Sequence, residues 1–376
     1  MLLGFVLLAI PSFSGNGIIP SFRQLSLIGF NLIFSFLLLN AYKNDFLALF
    51  KDYIDLIYIA AIVGIIQIFS QMVGFTYGAD FSYLGFDMQH FRMSNWRIQG
   101  WFQEPAFLAI AFTPVVFVGV CSLFNLTDMI SKQKAIIIMT VLILSQSTIG
   151  LIGLLLSLMI VVFNKYSLVK SPLLLAGSFF LLMVVSLVFY AIPQVRLRID
   201  DTFHLFTTDR ITPKDIENAN LSTYSTFSNY KVAMATLKDN PIFGSGLGTY
   251  EYDYFRYINV VLPENRITQQ YALNERDANS MLLRITAELG LLGLGLLFWF
   301  IWTNRINIDF ISATREQVNY WIINSAALSL FLIRLFRQGH YTMLGFMLFI
   351  LIYYCSKQEF KRSYENQAML NDRKSE

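Results

Sequence analysis

Long apolar runs separated by polar breaks dominate the chain, at 1–12, 22–41, 52–73, 101–124, 172–192, 281–303, 318–335 and 340–356. A helix that crosses a bilayer needs about 20 such residues, so each run predicts a span. The block 134–163 is too long for one ordinary span and short for two, and Ser145-Gln146-Ser147-Thr148 interrupts it midway. We read it as two short helices meeting at a polar apex. One polar stretch is long, 195–279; it carries Arg196, Arg198, Arg210, Arg256, Arg266 and Arg276 but no cysteine and no span-length apolar run. The pattern predicts an all-α polytopic membrane protein, with about ten transmembrane helices and a large extracytoplasmic loop domain. Its parts are N-terminal helices over 1–193 with an outer loop at 74–100, the large loop at 194–280, C-terminal helices over 281–356 and a cytoplasmic tail at 357–376.

The lysines orient this topology, because cytoplasmic loops carry an excess of basic residues. If the block is a hairpin, Lys43, Lys51, Lys132, Lys134, Lys165, Lys170, Lys357, Lys361 and Lys374 all fall on the inner side, with both termini. A single long helix would flip every earlier segment and scatter them. The same topology puts 12 of the 16 arginines outside or at outer helix ends. Arginine offers a planar five-donor fork that matches phosphate or carboxylate bidentately, whereas lysine is a point charge suited to lipid headgroups. An outer set of arginines therefore points to an anionic ligand, against the plainer reading that they pair with the 11 acids of the long stretch.

Composition narrows the class. The chain has 376 residues, 55% of them hydrophobic and 14% charged, with a mean hydropathy of +0.53. Its net charge of +3 is dispersed, which excludes a nucleic-acid partner. Cys121 and Cys355 fall at inner helix ends, so no disulfide framework is expected. Met1 to Ile10 has no basic n-region and reads poorly as a cleaved signal peptide; it is a short first helix or the remnant of a longer N-terminus. Histidines at 90, 204 and 340 lack ligand spacing, so no metal site is expected.

Four segments carry candidate chemistry. Arg97-Ile-Gln-Gly100-Trp-Phe-Gln-Glu104-Pro105 stands at an outer helix mouth. Glu104 and Pro105 suit a first helical turn, and the same carboxyl beside Arg97 and Arg92 could act as a base next to an anion clamp. Asn240-Pro241-Ile-Phe-Gly244-Ser-Gly246-Leu-Gly248-Thr-Tyr250 follows an amphipathic helix with Tyr230, Ala233, Met234 and Leu237 on one face. It lacks the Lys-Ser/Thr of a phosphate-binding P-loop, so its glycines serve tight turns or a close approach to a ligand or helix. Asp277-Ala278-Asn279-Ser280 leads into Arg284 and Glu288, which can pair one turn apart, and into Gly290, Gly293 and Gly295, which read as close helix packing. Arg334, Arg337 and His340 stand near an outer helix end, where snorkelling to headgroups explains the arginines as well as chemistry does. Glu251 and Asp253 read as a solvated acidic pair. Tyr250, Tyr252, Tyr254 and Trp101 offer flat aromatic faces for a ligand, though aromatics also line membrane interfaces.

Arg97-x-x-Gly100-x-Phe102-x-Glu104-Pro105, Leu144-Ser-Gln-Ser147-Thr-x-Gly150, Pro241-x-x-Gly244-x-Gly246-x-Gly248 with Tyr230 upstream, and Asn279 leading into Ala287-Glu288-Leu-Gly290-Leu-Leu-Gly293 occur in this order. Together they resemble the O-antigen polymerase and ligase superfamily of cell-envelope glycosyltransferases, over roughly residues 90–300. The resemblance implies a helical fold like that of other membrane glycosyltransferases, with a loop domain over a lipid-accessible cavity. It implies a bacterial cytoplasmic (inner) membrane protein whose active site faces the periplasm or exterior. It implies a donor glycan on undecaprenyl diphosphate, contact with membrane lipid and no cofactor, and it leaves room for a chain-length regulator and a flippase as partners. Family ligases usually carry a histidine where this chain has Ala278, and often an arginine where it has Thr226. Those departures favour a repeat-unit polymerase, with a ligase acting on lipid A core, or a lipid-linked oligosaccharide flippase or exporter, as the alternatives. The expected catalytic residues are Glu104 and Arg97; the expected substrate contacts are Arg92, Arg198, Arg210, Arg276, Asn279, Arg284 and Tyr250.

Overall fold

The computed structural model describes residues 18–88, 96–165, 193–208 and 210–375, with isolated positions at 183, 187, 190 and 191. The segments expected at 1–12 and, apart from those positions, at 172–192 lie outside the described residues, as do His90 and Arg92. Everything described is helix, turn or loop, with no strand among the described residues. The long helices are α1 (Ile18–Ala41), α2 (Phe46–Met72), α3 (Pro105–Leu123), α4 (Lys132–Leu144) and α5 (Thr148–Lys165). Five more helices follow: α6 (Pro193–Thr207), α7 (Pro213–Asn218), α8 (Leu221–Asp239), α9 (Tyr250–Val261) and α10 (Arg266–Gln270). The chain then closes with α11 (Met281–Asn304), α12 (Arg315–Phe336) and α13 (Phe346–Ser375). Six of the described helices (α1, α2, α3, α5, α11 and α12) are long and apolar enough to cross a membrane, which makes this a polytopic membrane protein. At 13 residues α4 rises roughly 20 Å, short of the roughly 30 Å of hydrocarbon in a bilayer. The final helix continues from the apolar segment through residue 375, so the tail expected at 357–376 is helical over nearly all its length.

The chain divides into two compact units. One contains residues 34–180, 304–333 and 344–376. Its centre is α3, apolar on every face and buried along most of its length, as a helix surrounded by others must be. Small residues let neighbours approach it: Cβ atoms added at Gly119 and Gly150 would lie 3.2 Å from Ala135 and 3.0 Å from Ala109. The block 134–163 does break at its polar apex, where Gln146 takes φ 50° between α4 and α5. Lys165 returns to donate to the Phe124 carbonyl at the far end of α3, at 2.8 Å, so the two helices form a hairpin along it. At the polar-apex end, Gln67 ties down both ends of the segment between α2 and α3: its side-chain oxygen accepts from Gln99 and Gly100 N–H at 2.9 and 2.8 Å, and its amide donates to Ala79 O. Buried Asn324 accepts from Ile306 N–H and donates to the carbonyls of Asn304 and Tyr353, tying α12 to its neighbours.

The other unit contains residues 1–33, 181–303 and 334–343. Its core lies between α8 and α9, where Tyr224, Phe227, Val232, Tyr250, Tyr254 and Ile258 pack with Ala278 and Ala287. Asn220 caps α8 by accepting from Ser222 N–H, and a Thr212–Asp215 capping box starts α7. The buried face of α8 centres on Ser225, Asn229, Val232 and Thr236. Of the apolar face expected from Tyr230, Ala233, Met234 and Leu237, Ala233 is buried and the other three are half-buried. The polar stripe goes inward because each side chain finds a partner there: Asn229 donates to Leu273 O at 3.0 Å and accepts from the Tyr250 hydroxyl at 2.8 Å, and Ser225 donates to Asn274 at 2.6 Å.

Candidate functional site

The glycine run and the opening of α11 form one backbone joint. Gly290 takes φ 60°, ψ −157°, which breaks the helix and releases two carbonyls and two amides. The loop at 240–248 takes them up. Ser245 and Gly246 N–H donate to Ala287 and Glu288 O at 2.9 and 2.8 Å, and Leu291 and Leu292 N–H donate to Pro241 and Ile242 O, both at 3.0 Å. These four groups are thereby paired, as a membrane setting demands of the backbone in an apolar helix. The contact admits no side chain: a Cβ on Gly290 would lie 2.6 Å from Ile242 O, and one on Gly244 would overlap the Glu288 carbonyl carbon. Gly248 meets Pro20 of α1 in the same way, at 2.7 Å. The run thus approaches a helix, as its glycines suggest, whereas Gly295 has nothing within 4 Å of its Cβ position and takes no part in packing.

Directly below the joint, Glu288 and Arg284 share one turn of α11 and are both buried. Arg284 Nε donates to Glu288 at 2.8 Å, one terminal nitrogen to Gly339 O and the other to Gln24, each at 3.2 Å. Its guanidinium lies 4.5 Å over the Tyr341 ring, and the Tyr341 hydroxyl donates to the other Glu288 oxygen at 2.9 Å. The Tyr250 N–H adds a bond to Glu288 at 3.3 Å.

One turn earlier the backbone is bent hard. Ala278 and Asn279 both take left-handed φ, 55° and 60°, which costs roughly 1–3 kcal/mol per non-glycine residue and needs surrounding contacts to hold it. Asp277 supplies some, accepting from Asn274 at 2.8 Å and from Asn279 N–H at 3.1 Å. The turn after α12 supplies the rest: Gln338 N–H donates to Asn279 O at 2.9 Å, and Gly339 is so close that a Cβ there would overlap Asp277 O. Asn279 then donates to Thr226 at 2.7 Å and accepts from Arg337. His340 Nε2 stands 3.7 Å from Asp277, with two-fifths of its side chain exposed. Arg337 is half-buried, and Arg334 is fully buried, with its guanidinium on the carbonyls of His340 and Met343. This bent turn, with Arg337 and His340 at its open side, is the candidate site.

The residues singled out in the sequence scatter around this arrangement. Asn279 is at its centre and Arg284 lies in the buried network behind it. Arg276 is exposed and pairs with Glu251 at 3.4 Å and Glu275 at 3.6 Å. Arg198 lies on α6 and Arg210 is exposed after it. Tyr250 cannot offer its ring to a sugar: it is fully buried in the core between α8 and α9, as is Tyr254, whereas Tyr252 is exposed. Arg97 and Glu104 belong to the other unit, close enough to interact. Desolvation lowers the Arg97 guanidinium below its ordinary value and the Glu104 carboxylate opposes that. Glu104 occupies the cap position of α3 in extended conformation, without making a side-chain cap, and Pro105 is the first helical residue. Sequence reasoning passed over Gln24, Gly339 and Tyr341, noted Thr226 only as a departure from family ligases, and read Arg337 and His340 as interfacial. The spacing Arg334-x-x-Arg337-x-x-His340 around Gly339 was the signal.

Asp253 corrects a second expectation. It is not solvated beside Glu251 but buried against the Ser245 hydroxyl. Burial pushes its carboxyl up to about 7, with the Glu288 charge adding to the rise and Ser245 and Arg256 opposing it. The folded chain therefore holds this proton more tightly than the unfolded chain, whose aspartates titrate near 3.9. The resulting stability is fully present below about pH 4 and is lost as pH rises through about 7, at most about 4 kcal/mol by linkage. Asp253→Asn is expected to flatten that slope and to be the more stable form at pH 8, as thermal unfolding of the full chain in detergent at pH 5 and 8 would read. An unchanged slope would mean that Asp253 ionises freely in the fold.

With this geometry in hand, comparison with known proteins adds one match. Residues 134–298 match the family model described as O-antigen ligase, spanning nearly all of α4, α5 to α10 and most of α11. That match supports the resemblance to the O-antigen polymerase and ligase superfamily. It supports glycosyl transfer of the ligase or polymerase kind, on lipid-linked saccharides in a membrane. No curated protein and no solved structure matches the chain.

Proposed function

We propose that this protein is a polymerase joining undecaprenyl-diphosphate-linked oligosaccharide repeat units at the outer face of the cytoplasmic membrane. The observation that carries the reading is the bent turn Asp277–Asn279, with Arg337 and His340 gathered at its open side and the apolar helix α11 starting directly after it. An arginine at the head of a membrane helix suits a diphosphate whose lipid tail stays in the bilayer. In the reaction a sugar hydroxyl of one lipid-linked unit attacks the anomeric carbon of the other. The new glycosidic bond forms, the bond to the diphosphate oxygen breaks, and undecaprenyl diphosphate leaves with the electron pair. The leaving group is already activated, so the main demand is stabilising charge on its phosphate oxygens, which preorganised arginines meet without a metal. We assign that task to Arg337 with Arg276, and the attacking hydroxyl gives its proton to water.

Two departures from family ligases support polymerase over ligase. Ala278 points into the hydrophobic core, where a histidine would not fit, and Thr226 is occupied by Asn279. The ligase reading is favoured by the description of the matching family model. The test is the product ladder from purified protein in lipid, given the lipid-linked repeat unit of its source strain without nucleotide sugar or metal. A ladder of multimers with release of undecaprenyl diphosphate, slowed about 10²–10³-fold by Arg337→Ala, is expected. Products only after adding lipid A core would make it a ligase, and movement of intact substrate across the bilayer without new bonds would sink the enzyme reading.

A further inference from the structure

We infer that a cleft between α9 and the segment bearing α10 is a subsite for the neutral sugar rings of the glycan, separate from the residues assigned to its diphosphate. The inference rests on the glycosyl-transfer reading above and specifies where the saccharide is held. The cleft measures about 160 Å³. That is well below the roughly 300–1,000 Å³ of a pocket for a drug-sized molecule, so it suits one ring with its neighbours leaving through the mouth.

Its walls have the chemistry of a sugar site and not of an anion site. From α9 comes Phe255, 57% exposed although it lies in a polar domain, together with Asn259. From the opposite wall come Glu264 and Gln269. An aromatic face takes the C–H side of a pyranose, and carboxamides both donate to and accept from hydroxyls. No lysine or arginine lines the cleft, and its one charge is a carboxylate, which turns a diphosphate away.

Two further observations separate this cleft from an ordinary surface crease. Its inner wall is Tyr254, whose ring is buried and meets that of Phe255 edge-on, with centroids 5.6 Å apart. The floor is built rigidly. Asn265 accepts from Thr268 N–H at 2.8 Å and donates to Pro263 O at 2.9 Å, and the Thr268 hydroxyl meets that of Tyr224 at 2.7 Å. A cleft whose floor is fixed before binding loses little entropy when a ring enters. The side chains of Asn259, Glu264 and Gln269 make no hydrogen bond among the described residues, so they are available to hydroxyls.

The probe is the repeat-unit oligosaccharide freed from the lipid-linked pool of the source strain by mild acid, which removes the diphosphate. Its binding to the full chain in phosphatidylcholine nanodiscs is followed by saturation-transfer NMR and titration. Wild type should bind, and Phe255→Ala and Gln269→Ala should each weaken binding at least about tenfold. Arg337→Ala should bind like wild type. In the transfer assay Phe255→Ala should raise KM for the lipid-linked unit and leave kcat within about twofold. No binding by wild type, or equal binding by Phe255→Ala, would overturn the inference. So would Phe255→Ala weakening attachment to phosphatidylcholine vesicles with no saccharide effect, since Tyr252, Phe255 and Val260 would then be a lipid-facing stripe. Binding that depends on Phe255, without transfer from any lipid-linked donor, would overturn the transferase reading and leave the cleft a saccharide site.

Discussion

Glu288→Ala should be among the most destabilising single changes in this chain, lowering stability by about 3–5 kcal/mol, because it strands Arg284 as a buried charge. Three things are lost together. Arg284 Nε loses its carboxylate, the Tyr341 hydroxyl loses its acceptor, and the Tyr250 N–H at the start of α9 loses its partner. The break of α11 at Gly290 lies two residues on, so the same change loosens the joint with the glycine run. The damage should come from the orphaned charge and not from a missing attraction, and a control separates the two. Replacing both partners with apolar residues of similar size, Arg284→Met with Glu288→Leu, removes the ion pair without leaving a charge, and buried pairs replaced in this way are often neutral in stability. Thermal unfolding in detergent should therefore show a large drop for Glu288→Ala and recovery in the double variant. Equal drops in both would mean that the hydrogen bonds to Gln24, Gly339 and Tyr341, not the charge, hold the unit together.

Much of the architecture was legible because burying a backbone in lipid leaves so few options. Apolar runs of span length identify membrane helices by length and composition, and a Ser-Gln-Ser break in an apolar block can only be a turn. The glycine run was legible as a close approach but not as an approach to α11, because the partner lies more than 40 residues on and nothing local marks which helix breaks to receive it. The Arg284–Glu288 pair could be read from its spacing. Whether it faces substrate or core could not, since that depends on Gln24, Gly339 and Tyr341 from distant segments. Asp253 and Tyr250 failed for one reason: an alternation of acids and tyrosines looks like a solvated surface until α8 packs over it with a polar stripe of its own. Arg337 and His340 were visible, and their significance was not. Interfacial arginine has an ordinary explanation, and only the fold bends residues 277–279 up to meet them.

Arg337→Ala should cost about 10²–10³-fold in kcat, the loss found when one preorganised donor to a developing anion is removed. The side chain sits half-buried over a strained turn, fixed by Asn279, which in turn is fixed by Thr226, so it is positioned before substrate arrives. A positioned guanidinium acts on the charge that grows as the anomeric bond breaks, so kcat should fall more than KM rises. Arg337→Lys should recover only part of the rate, because a point charge cannot match two phosphate oxygens with a planar fork. Inhibition by free undecaprenyl diphosphate gives an independent reading: the product should bind Arg337→Ala at least about tenfold more weakly. A purely structural arginine would behave differently. Its loss would lower the unfolding temperature and the amount of active protein while leaving kcat per folded molecule and product inhibition intact, and that pattern would move the diphosphate site away from the turn at Asn279.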